Sequence, residues 1–323
     1  MKRKSLRLID SFPFLSGVLG ITATVITSFS LFYPTVAQNV STEIKIVAGD
    51  ESGEYYAAAK DIEKLAQENN LDIDIIATKG ALQNIDDVFR YNSVSLGLTQ
   101  SDILAFYNTF ANDNEEIRRK AESLRIVLPL YEEEVHLITR KDIKSVEDLE
   151  GKIVSIGDEN SGTSTTATTL LFQWGVNPQE LLTYDVKRSI DALRNGEIDA
   201  MFYVVGVPAK VLTEQILKED NFQILPISLA INEDDDFFSR LYSPVTLPAN
   251  TYEWQSEEVQ TLAVQSLLFT VENDGCEQVS PVASLIKDNL SWLQANGSPI
   301  WKKVDLKLFH DETPERMSQC VSQ

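Results

Sequence analysis

Cationic charge is scarce in this chain of 323 residues. Lys and Arg number 28 against 49 Asp and Glu, a net of −21 at pH 7. Four of the basic residues, Lys2, Arg3, Lys4 and Arg7, crowd the first seven positions, and the later ones are interspersed with acids. A phosphate backbone needs a basic footprint, so no nucleic-acid partner is expected. Histidine is scarcer still, with only His136 and His310. Each stands alone, which reads as a structural role. The chain has no Gly-x-Ser-x-Gly, no Walker lysine motif and no His-Glu-x-x-His. Neither an enzyme nor a cofactor or metal is therefore expected. There are two cysteines, Cys276 and Cys320. In an exported chain such a pair reads as one disulfide, the alternative being two free thiols.

A long uncharged run occurs once, FPFLSGVLGITATVITSFSLFYPTVA at 12–37. It follows the basic start and ends in Thr35-Val36-Ala37, a small-x-small cleavage pattern. Residues 1–37 read as a secretory signal peptide with Gln38 as the first mature residue; an uncleaved anchor is the alternative. Pro34 and the Ala37 site favour cleavage. No cysteine follows the run to carry a lipid. No later stretch is long enough to span a bilayer, so the remainder is expected to be soluble and exported.

The remainder is long for one core, and an apolar fraction of 43% supplies enough for two. Its pattern repeats. IKIVAGDESGEYYAAAKDI (44–62) has an alternating run, a glycine, an acidic pair, Ser-Gly and then a helical stripe. GKIVSIGDENSGTSTTATTLL (151–171) has the same order. Each copy continues with a second strand, a second helix and a third strand, which is β-α-β-α-β and the signature of a parallel sheet. The first copy's later elements are LDIDIIAT (71–78), a helix striped by Leu82, Ile85 and Phe89, and VSLGLTQ (94–100). The second's are LLTYDV (181–186), SIDALRNG (189–196) and IDAMFYVVG (198–206). Between the copies, LRIVLPLYEEEVHLITR (124–140) reads as two strand-like pieces. NFQILPISL (221–229) is its partner crossing, and SPVTLPANTY (243–252) reads as a proline-bearing connection. A strand at 261–271 and one helix at 282–294 would complete the first lobe. The expectation is an α/β protein of two similar lobes. Their boundaries are 44–127 for the first part of lobe 1, 128–140 for a crossover or hinge and 141–220 for lobe 2, with 221–323 returning to complete lobe 1. In open α/β sheets, ligands bind at the carboxyl ends of strands. Each Ser-Gly loop sits at such an end, where a helix N-terminus makes an anion site.

The motifs GDESGEYY (49–56), TKGALQN (78–84), GLTQSD (97–102), DLEGKIVSIGDENSGTSTTA (148–167) and NGEIDAMFYVVGVPA (195–209) together resemble the TAXI family of solute-binding proteins from tripartite ATP-independent (TRAP) transporters. The resemblance spans nearly all of the chain after the signal. It departs at Ala81, where the family's usual residue is Ser, so a hydroxyl contact there is lost. It implies mixed β-sheets in a type II periplasmic-binding-protein, or Venus flytrap, architecture in the periplasm. It also implies a carboxylate ligand of a glutamate-like kind and delivery to a TRAP-type membrane permease. A periplasmic sensing module that signals without transport is the alternative.

The candidate ligand residues follow from both readings. Ser161, Gly162 and Thr163 form the leading anion site, with an ordinary helix cap as the plainer role. Ser52 and Gly53 supply the opposing wall with either Tyr55 or Tyr56, the other packing in the lobe. Thr78, Lys79 and Gly80 follow the second strand, where Lys79 either pairs a ligand carboxylate or is solvated. Gln100, Ser101 and Asp102 could read an ammonium or amide. Tyr203 and Gly206, in Gly206-Val207-Pro208, close the equivalent strand end of lobe 2. The acidic runs Glu132-Glu133-Glu134 and Glu233-Asp234-Asp235-Asp236 lack a calcium loop's alternating oxygens and glycine turn; they read as solvated faces. The overall negative charge does not preclude an anion. Screening limits its reach to about 8–10 Å, and each helix N-terminus acts as roughly half a positive charge at contact.

Overall fold

Residues 43–109, 114–229, 241–271, 276–306 and 316–321 are described by the computed structural model. The signal segment, its cleavage site, the acidic run 233–236 and His310 lie outside them. Among the described residues, no helix is long and apolar enough to cross a membrane.

Three short strands open the fold: β1 (Ile44–Val47), β2 (Ile73–Ile76) and β3 (Leu96–Gln100). They pair in parallel in the order β2-β1-β3. Every residue of β3 is buried, as expected of a strand covered on both faces. Helices α1 (Glu54–Glu68) and α2 (Ala81–Arg90) are the crossovers. Ala58, Ile62, Leu65 and Ala66 lie on the buried stripe of α1, at the spacing that puts them on one face. Helices α3 (Ser101–Thr109) and α4 (Glu115–Ser123) follow β3.

The second unit repeats the plan with β5 (Ile153–Ser155), α5 (Gly162–Trp174), β6 (Glu180–Leu182), α6 (Val186–Asn195) and β7 (Ala200–Val205). β5 is parallel to both β6 and β7. Gly175 and Gly196 cap α5 and α6 in the left-handed conformation, so the helices stop where the sequence places their stop signals.

Two long strands fuse the units into one mixed sheet, in the order β2-β1-β3-β10-β4-β7-β5-β6. These are β4 (Leu124–Arg140) and β10 (Val259–Val271). β4 is one continuous strand, not the two pieces its sequence suggests. Pro129 is accommodated at an irregularity: Gln265 faces Glu132 while Leu267 faces Pro129, so three residues of β4 span two of β10. A bulge is one of the few places where a sheet tolerates proline. The 243–252 stretch also departs from expectation. Its first half is a strand, β9 (Ser243–Leu247), pairing with β10, and Pro244 is tolerable there because β9 lies off the main path at an edge. β8 (Phe222–Ile224) pairs with β4.

Among the described residues, the buried apolar side chains form three clusters. One lies in the first lobe; it takes Leu124–Tyr131 from β4 and Leu267–Phe269 from β10. The other two lie in the second lobe, with Val135, Leu137, Leu262 and Val264 in one and Ile138, Ile224 and Val259 in the other. Both long strands therefore run from core to core, and in β4 the passage falls at Glu132–Glu134. After α7 (Lys210–Gln215), the return strands and β10 come α8 (Val279–Asp288) and α9 (Leu290–Asn296), which pack on the first core through Val282, Ile286 and Leu293. The single helix expected at 282–294 is broken at Asn289, whose side-chain amide donates to the Leu285 carbonyl at 2.9 Å. Cys276 and Cys320 are bonded, with Cα atoms 5.1 Å apart.

Candidate functional site

Three helices begin at the carboxyl ends of parallel strands around one cleft. Their N-termini are not equivalent. That of α2 is already occupied: the N–H groups of Leu82 and Gln83 donate to the Asn160 carbonyl of the other lobe, at 3.1 and 3.3 Å. At α5, the Ser161 side chain accepts only from the Ser164 N–H, at 3.2 Å. At α1, the cap is Gly53, which offers no side chain. First-turn N–H groups have no partner within their own helix, so those of α1 and of Gly162 and Thr163 remain for a ligand.

Both of these ends meet a cavity of about 110 Å³ between the lobes. Its walls include Gly53 and Tyr55 from α1, Lys79 and Gly80 from the loop after β2, Ser161, Gly162 and Thr163 from α5, and Tyr203 from β7. Eight of the twelve residues expected from the sequence thus meet at one cavity. Of the two tyrosines, Tyr55 faces the cavity and Tyr56 packs against the first core. Ser52 lines two larger outer spaces, of about 510 and 580 Å³, that also touch Gly53. Thr78 stands back from all three spaces. Its hydroxyl donates to Asn84 at 2.6 Å and accepts the Gly80 N–H at 3.2 Å, which shapes the loop. Gly206 also serves packing, since a Cβ there would lie 2.2 Å from the Ile300 side chain.

Close approach explains two glycines. Gly80 has φ +129, and a Cβ would press on the Ser161 backbone at 3.3 Å; its bareness lets the lobes touch. At Gly162 a Cβ would stand 1.4 Å from Oε1 of Gln100, so any side chain would displace that amide. The Thr163 hydroxyl is engaged elsewhere, accepting the Val204 N–H of β7 at 3.1 Å. Lys79 is well exposed, with Asp158 at 3.9 Å, a pair that contributes little.

The glutamates of β4 correct the sequence reading. Glu133 and Glu134 are only 4% and 7% exposed. They are not a solvated face, because they sit where β4 passes between two cores. Glu134 accepts the Val207 N–H at 3.2 Å and pairs with Lys303 at 2.8 Å. Glu133 lines the cavity and accepts the Tyr55 hydroxyl at 2.8 Å. Burial pushes its carboxyl well above the usual carboxylate range, and the hydrogen bonds from Tyr55 and Gln100 offset this only in part. The same burial, with Glu133 beside it, pushes the Tyr55 hydroxyl up. Glu54 and Asp50 also line the cavity. Sequence reasoning missed Glu133 as a lining group; the signal was the apolar run on either side of the acidic triplet. The lobes meet again behind the cavity, where Asp102 of α3 accepts the hydroxyls of Thr166 on α5 at 2.6 Å and Tyr242 at 3.1 Å.

This arrangement offers backbone donors on two walls and a buried carboxyl at one end. Such an arrangement can hydrogen-bond a small polar molecule. The family model described as NMT1-like matches residues 46–314. The chain belongs to the NMT1-like family. Solved structures share the fold of this NMT1-like protein. MatC from Rhodopseudomonas palustris, solved with bound malate, matches with a TM-score of 0.53 at 14% identity, over 87% of this chain and 93% of that one. The periplasmic binding protein BugD matches with a TM-score of 0.50 at 11% identity, over 81% and 85%. The fold of the NMT1-like protein is thus that of periplasmic binding proteins, two α/β lobes joined by a mixed sheet.

Proposed function

We propose that this NMT1-like protein is an extracytoplasmic solute receptor that holds a small carboxylate between its lobes and binds it without transforming it. The observation that carries this reading is the convergence of the α1 and α5 N-termini on one interlobe cavity, with α2 excluded by the Asn160 carbonyl. Two half-charges and their N–H groups favour an anion there. The resemblance of the loop motifs to TAXI proteins extends the reading to a glutamate-like ligand delivered to a TRAP-type permease. It also extends it to export to the periplasm, with residues 1–37 removed after Ala37.

Titration calorimetry with a panel of small mono- and dicarboxylates tests it. At Gly53 an added Cβ meets the Asp50 carbonyl at 3.2 Å, and in Gly53→Val, its fold checked by circular dichroism, the added methyls should fill the α1 end of the cavity. Charge-assisted hydrogen bonds contribute about 1.5–3 kcal/mol each, so the loss is about 10-fold to 150-fold in affinity. Gly162→Val, which displaces Gln100, should be at least as damaging. Wild-type affinity in both folded variants would place the ligand elsewhere.

A further inference from the structure

The cavity's backbone donors are on its helix walls; its acceptors are Asp50 and Glu54 by α1, Glu133 of β4, and the Gln100 oxygen beside Gly162. Glu133 is buried and forms no ion pair among the described residues, although Glu134 beside it has Lys303. Gln100 is 2% exposed, lines the same cavity, and its side-chain oxygen has no hydrogen-bond partner. A buried acceptor without a donor is costly, and this one, beside a buried carboxyl that has hydrogen bonds but no ion pair, calls for a ligand that brings donors and positive charge. We propose that Glu133 selects the ligand by a protonated amine, taking up the ammonium in exchange for its own proton, so that each binding event releases one proton to solvent. The inference rests on the carboxylate-receptor reading and adds its second recognition point. The carboxylate takes the first-turn N–H groups of α1 and α5, and the amine takes Glu133 and the Gln100 oxygen, which stands beside Gly162.

The groups around Glu133 support the exchange. From α1 it faces Tyr55 and, farther along the cavity, Glu54; from α3, Asp102; from β4 itself, Tyr131 and Glu134; from β7, Tyr203. The opposing strand β10 places Val264 against Glu133. Every one of these titratable neighbours is acidic or phenolic. Of the cations around the cavity, Lys303 is engaged by Glu134, Lys210 faces Glu54, and Lys79 lies on the wall after β2. Without a ligand, burial and the like charges of Asp102 and Glu134 favour the neutral carboxyl. An ammonium reverses this by supplying the missing opposite charge, and the proton leaves.

The test uses the intact mature protein. Thermal shift compares each proteinogenic L-amino acid with its 2-deamino carboxylic acid. Calorimetry of the responders follows near pH 7 in phosphate and in Tris, whose different ionisation enthalpies count released protons. The expected result is that at least one amino acid binds about tenfold or more tighter than its deamino acid, with about one proton released. Glu133→Gln should lose both the preference and the release. A protonated-carboxyl infrared band should be present in the ligand-free wild type, absent in Glu133→Gln, and removed by the ligand. Equal binding of the deamino acid, or binding without proton release, overturns the inference and leaves the carboxylate receptor standing. A lack of response to either set removes both.

Discussion

Asp102 gives the fold a pH dependence that one substitution should isolate. Its carboxyl is 3% exposed and accepts two hydroxyls through one oxygen, while the other oxygen has no partner. Burial, only partly offset by the hydrogen bonds from Thr166 and Tyr242, raises it from an ordinary 3.8 to about 6. The folded protein therefore binds this proton more tightly than the unfolded chain. The contribution of the group to stability is complete below pH 3.8 and is lost as pH rises through about 6. At about 1.4 kcal/mol per pH unit, the loss is about 3 kcal/mol. Asp102→Asn has no charge to desolvate and keeps an oxygen for Thr166 and Tyr242. Its added N–H meets no established acceptor, at a cost of about 1–3 kcal/mol at any pH. Relative to wild type, the variant should be destabilised near pH 4 and close to neutral or stabilised near pH 8. The two values should differ by about 2–3 kcal/mol. Urea unfolding at both pH values measures this directly. An equal ΔΔG at the two would refute the claim that Asp102 is charged at a cost in the folded state.

His136 should act in the opposite sense. It is fully buried and lowered to about 4, chiefly by burial. Its Nδ1 faces the carbonyls of Glu134 and Tyr203, and its Nε2 faces the Tyr252 hydroxyl at 2.8 Å, so Nδ1 carries the proton. The folded state binds the second proton less readily, and stability from this group is lost as pH falls from 6.5 through about 4, by about 3 kcal/mol. A variant with Phe at this position should show a shallower acid limb in the same urea series, and an unchanged limb would contradict the assignment. Breaking the Cys276–Cys320 bridge, which spans 44 residues, should lower stability by about 4 kcal/mol on the loop-entropy account. Cys320→Ser, compared by urea unfolding with the oxidised wild type, checks it, and a loss below about 1 kcal/mol would argue against that account.

The fold was legible where periodicity and punctuation agree. The paired Gly-Asp-Glu loops stand between an alternating run and a helical stripe, and that order is enough to place two strand ends and two helix starts. Gly175 and Gly196 fix helix ends because few other residues adopt their conformation. The site was legible for the same reason: its backbone donors belong to the helix starts. Glu133 was not, because three consecutive acids ordinarily mark solvent. Its burial depends on β4 and β10 carrying the chain between cores, a fact of pairing across about 130 residues of sequence that no local pattern contains. Thr163 carries a second task that its sequence does not show: its hydroxyl accepts the Val204 N–H of β7. The continuity of β4 through Pro129 was likewise hidden, since the compensating irregularity lies in its register against a distant partner.

The central claim is that a small carboxylate lies between the N-termini of α1 and α5. Native mass spectrometry of the purified mature protein, run beside Gly53→Val, tests it most directly. The wild type should carry a small acid that leaves on collisional activation, and Gly53→Val, equally folded, should carry little or none. A bound species without a carboxylate, or the same acid retained in full by Gly53→Val, would contradict the account.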